Sequence, residues 1–221
     1  MDTPKADRAK DVTEEDLKQI FKNLDKIEKL LIREAKMFLG AGPLYTIDLY
    51  ISAIINRAIS FIRGFKLLAT ENNYISSVPI IRMQIDNCLR LYAGSIVTNH
   101  SDFFNEYLKG THIRNLKDAS GNKMTDFYLV SQLEKLFPGI QNLYNNTSGY
   151  IHLSNEHSFL QTEIIKDSDR TIGTRIGYYD FYEIDKKVDF AYNMFKASQF
   201  LLELVSSWRI EKINSHQNPA K

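Results

Sequence analysis

The stretch LYTIDLYISAIINRAISFIRGFKLLAT, residues 44–70, decides the fold. Ile47, Ile51, Ile54, Ile55, Ala58, Ile59, Ile62 and Leu67 recur at helical steps with no proline between them. That spacing predicts one long helix, apolar on several sides and so central to a bundle. Upstream, Thr13 precedes Glu14, Glu15 and Asp16, a cap followed by acids that complement a helix dipole. Leu17, Ile20, Phe21, Leu24, Ile27, Leu31 and Ala35 continue the period until Gly40-Ala41-Gly42-Pro43 breaks it.

Downstream, Glu71-Asn72-Asn73 ends the central helix. Ser77 is the expected cap of a third helix, with Pro79 in its first turn and an end near Val97. A short fourth helix begins at Ser101 and stops at Gly110, and the polar residues 111–123 read as a loop or partly disordered excursion. Thr125 opens a fifth helix carrying Phe127, Leu129, Val130, Leu133, Leu136 and Phe137, which Pro138-Gly139 terminates. Residues 140–152 are shorter and more polar. From about residue 159 to 179 the period shortens to two on either side of a charged turn, predicting a β-hairpin. A last long helix covers about 182–213, with Tyr192 and Trp208 in its apolar stripe.

The expected architecture is a mainly α, single-domain bundle of five to seven helices over residues 13–213, with one β-hairpin before the last helix. A disordered lead, 1–12, and a disordered tail, 214–221, flank it. Composition agrees: 221 residues contain only 10 Gly and 5 Pro but 13 Phe and 12 Tyr, enough large side chains for a substantial core. A formal net charge of +1 excludes a broadly basic nucleic-acid coat, though not a local basic patch. The lone Cys88 excludes an intramolecular disulfide and a cysteine-rich zinc site. The polar start and the lack of a long apolar run lead us to expect a cytoplasmic protein without a membrane partner.

Two places carry candidate chemistry. Arg82, Asp86 and Arg90 lie one helical turn apart beside an apolar stripe. They form either an ion-pair ladder or an anion clamp in which Asp86 orients two guanidiniums for bidentate contact. Tyr144, Ser148 and His152 have the same spacing and, on a helix, give a phenol, a hydroxyl and an imidazole in a row. The row is either a structural polar network or a ligand-orienting face, with His152 as general acid-base.

Other chemistries are poorly served. Glu156 and His157 near His152 make no compact metal set, and the nucleophile-elbow, phosphate-loop and dinucleotide glycine patterns are all absent. No metal and no cofactor are expected. Arg170 and Arg175 with Tyr178, Tyr179 and Tyr182 form either a surface for single-stranded nucleic acid or a turn, a cross-strand pair and a packing cluster.

Taken together, Val78-Pro79-Ile80-Ile81-Arg82-Met83-Gln84-Ile85-Asp86 and the Tyr144-x-x-x-Ser148-x-x-x-His152 segment resemble uncharacterised bacterial helical-bundle proteins over roughly residues 50 to 160. The chain is also distantly similar to the HEPN bundles, many of them metal-independent ribonucleases or toxins of bacterial defence systems that commonly act as dimers. Their hallmark is an Arg, four to six residues and then a His on one helix. Here Asn146 stands where that Arg belongs, so Arg82 would have to supply the charge from a neighbouring helix. The two clusters together lead us to expect a binding or regulatory domain in which Arg82, Asp86 and Arg90 on one helix face Tyr144, Ser148 and His152 on another across a polar pocket for an anionic small ligand or RNA. The HEPN resemblance implies a homodimer of a defence or toxin-type system. The alternatives are a metal-independent ribonuclease using His152 and a non-catalytic dimeric module pairing through the first or last helix.

Overall fold

A computed structural model describes residues 12–151, 157, 162–166, 171–174, 176–177 and 182–217. The first helix, α1 (Glu14–Leu39), starts as expected at Thr13, whose amide and hydroxyl both donate to the Asp16 carboxylate, at 2.9 and 2.8 Å. It buries Leu17, Leu24, Ile27, Leu31 and Phe38 and leaves its Lys- and Asp-rich face in water. The second helix, α2 (Thr46–Thr70), buries Ile47, Ile51, Ile54, Ile55, Ala58 and Ile62, but Leu67 projects outward. Asp48 reaches back to accept from the Tyr45 amide and so fixes the start of α2.

The turn between α2 and α3 (Tyr74–Ser95) is tighter than expected. Asn72 takes a left-handed φ of 53°, and the Asn73 side chain, not Ser77, caps α3 by accepting from the Ser76 amide. Asparagine caps as well as serine does, and using it starts the helix a turn earlier, leaving Ser77 buried and Pro79 inside the helix. Helix α3 touches α2, α5 (Asp126–Leu136), α6 (Ile140–Ser148) and α7 (Ile184–Gln217), so it, rather than α2 alone, is the hub. Its apolar count understated this because it also buries Arg82, Gln84 and Asn87.

Helix α7 runs against α1 and α3. Arg209 pairs with Glu34 of α1, and the Trp208 indole donates to the Leu91 carbonyl of α3. The helix continues to Gln217, four residues beyond the expected end, with the His216 ring against Gly42. The expected disordered tail is thus helical at its start. The predicted lead, residues 1–12, falls almost wholly outside the described residues.

Residues 111–123 are pinned rather than disordered. After α4 (His100–Leu108), a 3-10 turn at Ile113–Asn115 leads to a bridge between Lys117 and Lys123, and the Ala119 amide donates to the Ile96 carbonyl at the end of α3. Met124, fully buried, anchors the return. Thr125 caps α5 as expected, but Phe127 is 80% exposed. It lies about 200° around the helix from Leu129, whose face is the buried one. Tyr192, half exposed, likewise leaves the stripe expected of α7.

The described chain is mainly helical, with seven α-helices. Strands β1 (Thr162–Lys166) and β2 (Thr171–Thr174) pair antiparallel, and the residues joining them lie outside the described set. No helix among the described residues is long and apolar enough to cross a membrane.

Candidate functional site

The rungs expected along α3 are present, but most of their partners come from other helices. Arg90 donates from Nε to Asp86 Oδ1 at 2.9 Å and from Nη2 to Asp126 Oδ1, across on α5, at 2.6 Å. Arg82 reaches the other oxygen of Asp126 at 3.5 Å. Asp86 spends its second oxygen on Arg57 of α2, at 3.1 Å. Asp126 is therefore shared by Arg82 and Arg90, the role the sequence suggested for Asp86, and Asp86 instead joins Arg90 to Arg57.

Three guanidiniums face two carboxylates in this network, leaving one positive charge over. Burial pulls the Arg90 guanidinium downward, but Asp86 and Asp126 outweigh it and hold Arg90 above the usual arginine range, so it stays charged. The Tyr50 hydroxyl donates to the Arg90 carbonyl at 2.9 Å, fixing the backbone beneath it. Burial pushes that phenol far above its ordinary range, so it remains a donor.

A cleft of about 690 Å³ opens beside this network, between α2, α3, the turn after α4 and the start of α5. Arg57, Arg90, Arg114 and His112 line it, and Asp126 is the lining acid. Arg114 and His112 are exposed and make no side-chain hydrogen bond or ion pair among the described residues. Arg57 is held from behind by a buried polar chain. It donates to Asn87 at 2.7 Å, Asn87 donates to Gln84 at 3.0 Å, and Gln84 donates to Ser198 of α7 at 3.1 Å. Asn87, Gln84 and Ser198 are all fully buried, so the chain satisfies groups that would otherwise be costly inside the core.

The second predicted cluster divides. The Arg82 guanidinium stacks on the Tyr144 ring, with Cζ 3.7 Å from the ring centre, which joins α3 to α6. Only about a tenth of the Arg82 side chain is exposed, so this arginine is a joint between helices. The Ser148 hydroxyl turns back to the Tyr144 carbonyl of its own helix at 2.7 Å. Helix α6 ends at Ser148 and is followed by a turn at residues 149–151. His152, Glu156, Arg170, Arg175, Tyr178 and Tyr179 lie outside the described residues. Among the described residues no group of three or more His, Cys, Asp or Glu side chains is placed to hold a metal.

A second cavity, about 610 Å³, lies among α1, α2, α4 and α7. Its Lys212 is paired with Asp48 at 2.6 Å, both buried, and Glu211 adds a further negative charge. That cavity has no cation to spare, whereas the first has.

Sequence reasoning missed four of the residues that make the first cleft. Arg57 had a signal, as a charge in the middle of an isoleucine-rich helix. Asp126 had one in its place next to the Thr125 cap. Arg114 and His112 sat in a segment set aside as loop. Comparisons with protein-family models, with curated proteins and with solved structures find no match for this chain.

Proposed function

We propose that the protein is an anion-binding helical module and that the cleft lined by Arg57, Arg90, His112 and Arg114 is its binding site. The convergence of three arginines from three separate elements on one cleft, against a single lining acid, carries this reading. Arg90 is fixed in two directions by carboxylates and Arg57 by Asn87, so neither loses much side-chain freedom on meeting a ligand. Arg114, unpaired among the described residues, supplies the second uncompensated charge. Arg82 and Asp86 act behind the cleft, Arg82 by bracing Asp126 and Asp86 by aiming Arg57 and Arg90. Tyr144 and Ser148 serve the α3 to α6 joint.

The ribonuclease alternative draws on His152 and on an arginine free to meet a phosphate. Arg82, stacked on Tyr144 and paired with Asp126, is not such a group, so the binding reading is the stronger. The dimeric-module alternative draws on α1 or α7 pairing between chains, yet each of these helices already spends its main apolar face on packing within one chain, leaving only scattered side chains such as Leu30, Met37 and Ile210 exposed. Closure of β1 and β2 into the expected hairpin belongs to the proposed fold and carries none of this chemistry.

Calorimetric titration with inorganic pyrophosphate tests the reading. Wild-type protein is expected to bind, Arg114→Ala to bind about tenfold more weakly, and both to weaken as salt rises. Equal affinity in wild type and Arg114→Ala would sink it.

A further inference from the structure

We infer that the anion taken by this cleft is the phosphate of a nucleotide, bound with its base against Tyr107. The inference rests on the anion-binding reading above and adds the body of the ligand to its charge. At about 690 Å³ the cleft is far larger than an inorganic anion needs and falls within the usual range for organic ligands. The two positive charges left over by the arginine network and Arg114 match a phosphate monoester, which carries close to two negative charges near neutral pH. A lone carboxylate would neutralise only one of them.

The rest of the lining suits a flat, amphipathic body. Ala53, Ile54 and Ile113 make an apolar wall beside the arginines. Tyr107 is 39% exposed, and its ring is held edge-to-face by Tyr50 at 5.0 Å and tilted on Phe104 at 6.1 Å. A ring fixed by two neighbours yet open to the cleft is a stacking platform whose ordering has already been achieved by the fold. Thr111, His112 and Thr125 offer side-chain hydrogen-bonding groups along the same cleft for a ribose or a base edge.

The test is calorimetric titration of the full chain with AMP, ribose 5-phosphate and inorganic pyrophosphate. Wild type is expected to bind AMP about tenfold more tightly than ribose 5-phosphate, the margin that stacking of one base supplies. Tyr107→Phe keeps that margin. Tyr107→Leu abolishes it while leaving pyrophosphate affinity within twofold, which also shows that the variant is folded. Equal affinity of wild type for AMP and ribose 5-phosphate would overturn the nucleotide inference and leave the anion site standing. Failure of all three probes to bind would overturn both. A single-stranded hexamer with a 5′-phosphate identifies the source: tighter binding than AMP indicates a strand end, and weaker binding a free nucleotide.

Discussion

Arg90 of α3 reaches Asp126 of α5 at 2.6 Å, and Asp126 stands at the rim of the cleft that Arg90 lines. One carboxylate thus braces two helices while cancelling part of the charge that a ligand would meet. These two roles oppose each other. Asp126→Asn is expected to lower stability by about 1–2 kcal/mol, the loss of charge-assisted bonds discounted for their partial exposure. It should at the same time raise pyrophosphate affinity several-fold. Urea denaturation and calorimetry measure the two effects, and weaker binding by a folded Asp126→Asn protein would show that the acid helps to make the site.

The buried chain behind Arg57 makes a second distinction. Asn87→Ala frees the Arg57 guanidinium on one side and leaves the Gln84 amide without its nearer partner. A loss of about 1–3 kcal/mol in stability is expected, together with three- to tenfold weaker pyrophosphate binding. Ser198→Ala, at the far end of the same chain, should cost stability but change affinity by twofold or less.

The Lys212 and Asp48 pair lies deep between α2 and α7, its side chains 5% and 2% exposed. Asp48→Ala strands the ammonium over the Phe38 ring and removes the bond that starts α2, so unfolding free energy should fall by about 3–5 kcal/mol. Glu28→Ala, which breaks the pair with the exposed Arg63, should lower the denaturation midpoint far less than Asp48→Ala does.

Acid should loosen α6. The Gln141 and Gly139 amides donate to the Glu134 carboxylate at 2.8 and 2.9 Å and hold it below the ordinary value of 4.5. A depressed folded value means stabilisation that is complete above that ordinary value and is lost as pH falls through the lower one. The difference in melting temperature between wild type and Glu134→Gln should therefore shrink as pH drops from about 6 to about 3. A difference that stays constant over this range would show that the carboxylate charge contributes nothing.

Much of the helical scaffold was legible in the sequence because Thr13, Thr125 and the isoleucine period of α2 act through local geometry. The start of α3 was misplaced because Asn73 and Ser77 are both good caps, and only packing chooses between them. The site was half legible. Arg82, Asp86 and Arg90 declare themselves by their one-turn spacing. That Arg82 turns to Tyr144 while Arg90 turns to the cleft depends on which helix lies on which side of α3, and no local pattern encodes that. His112 and Arg114 join the site through a turn held by Ala119 and Met124, contacts that sequence spacing does not reveal.

The arginine Nε–Hε region of the NMR spectrum, recorded while inorganic pyrophosphate is added, locates the anion most directly. Resonances of Arg57, Arg90 and Arg114 are predicted to move together along one saturating curve. Those of Arg63 and Arg209, committed to Glu28 and Glu34 away from the cleft, are predicted to stay in place. Saturating shifts at Arg63 or Arg209 with Arg57, Arg90 and Arg114 unmoved would contradict the account.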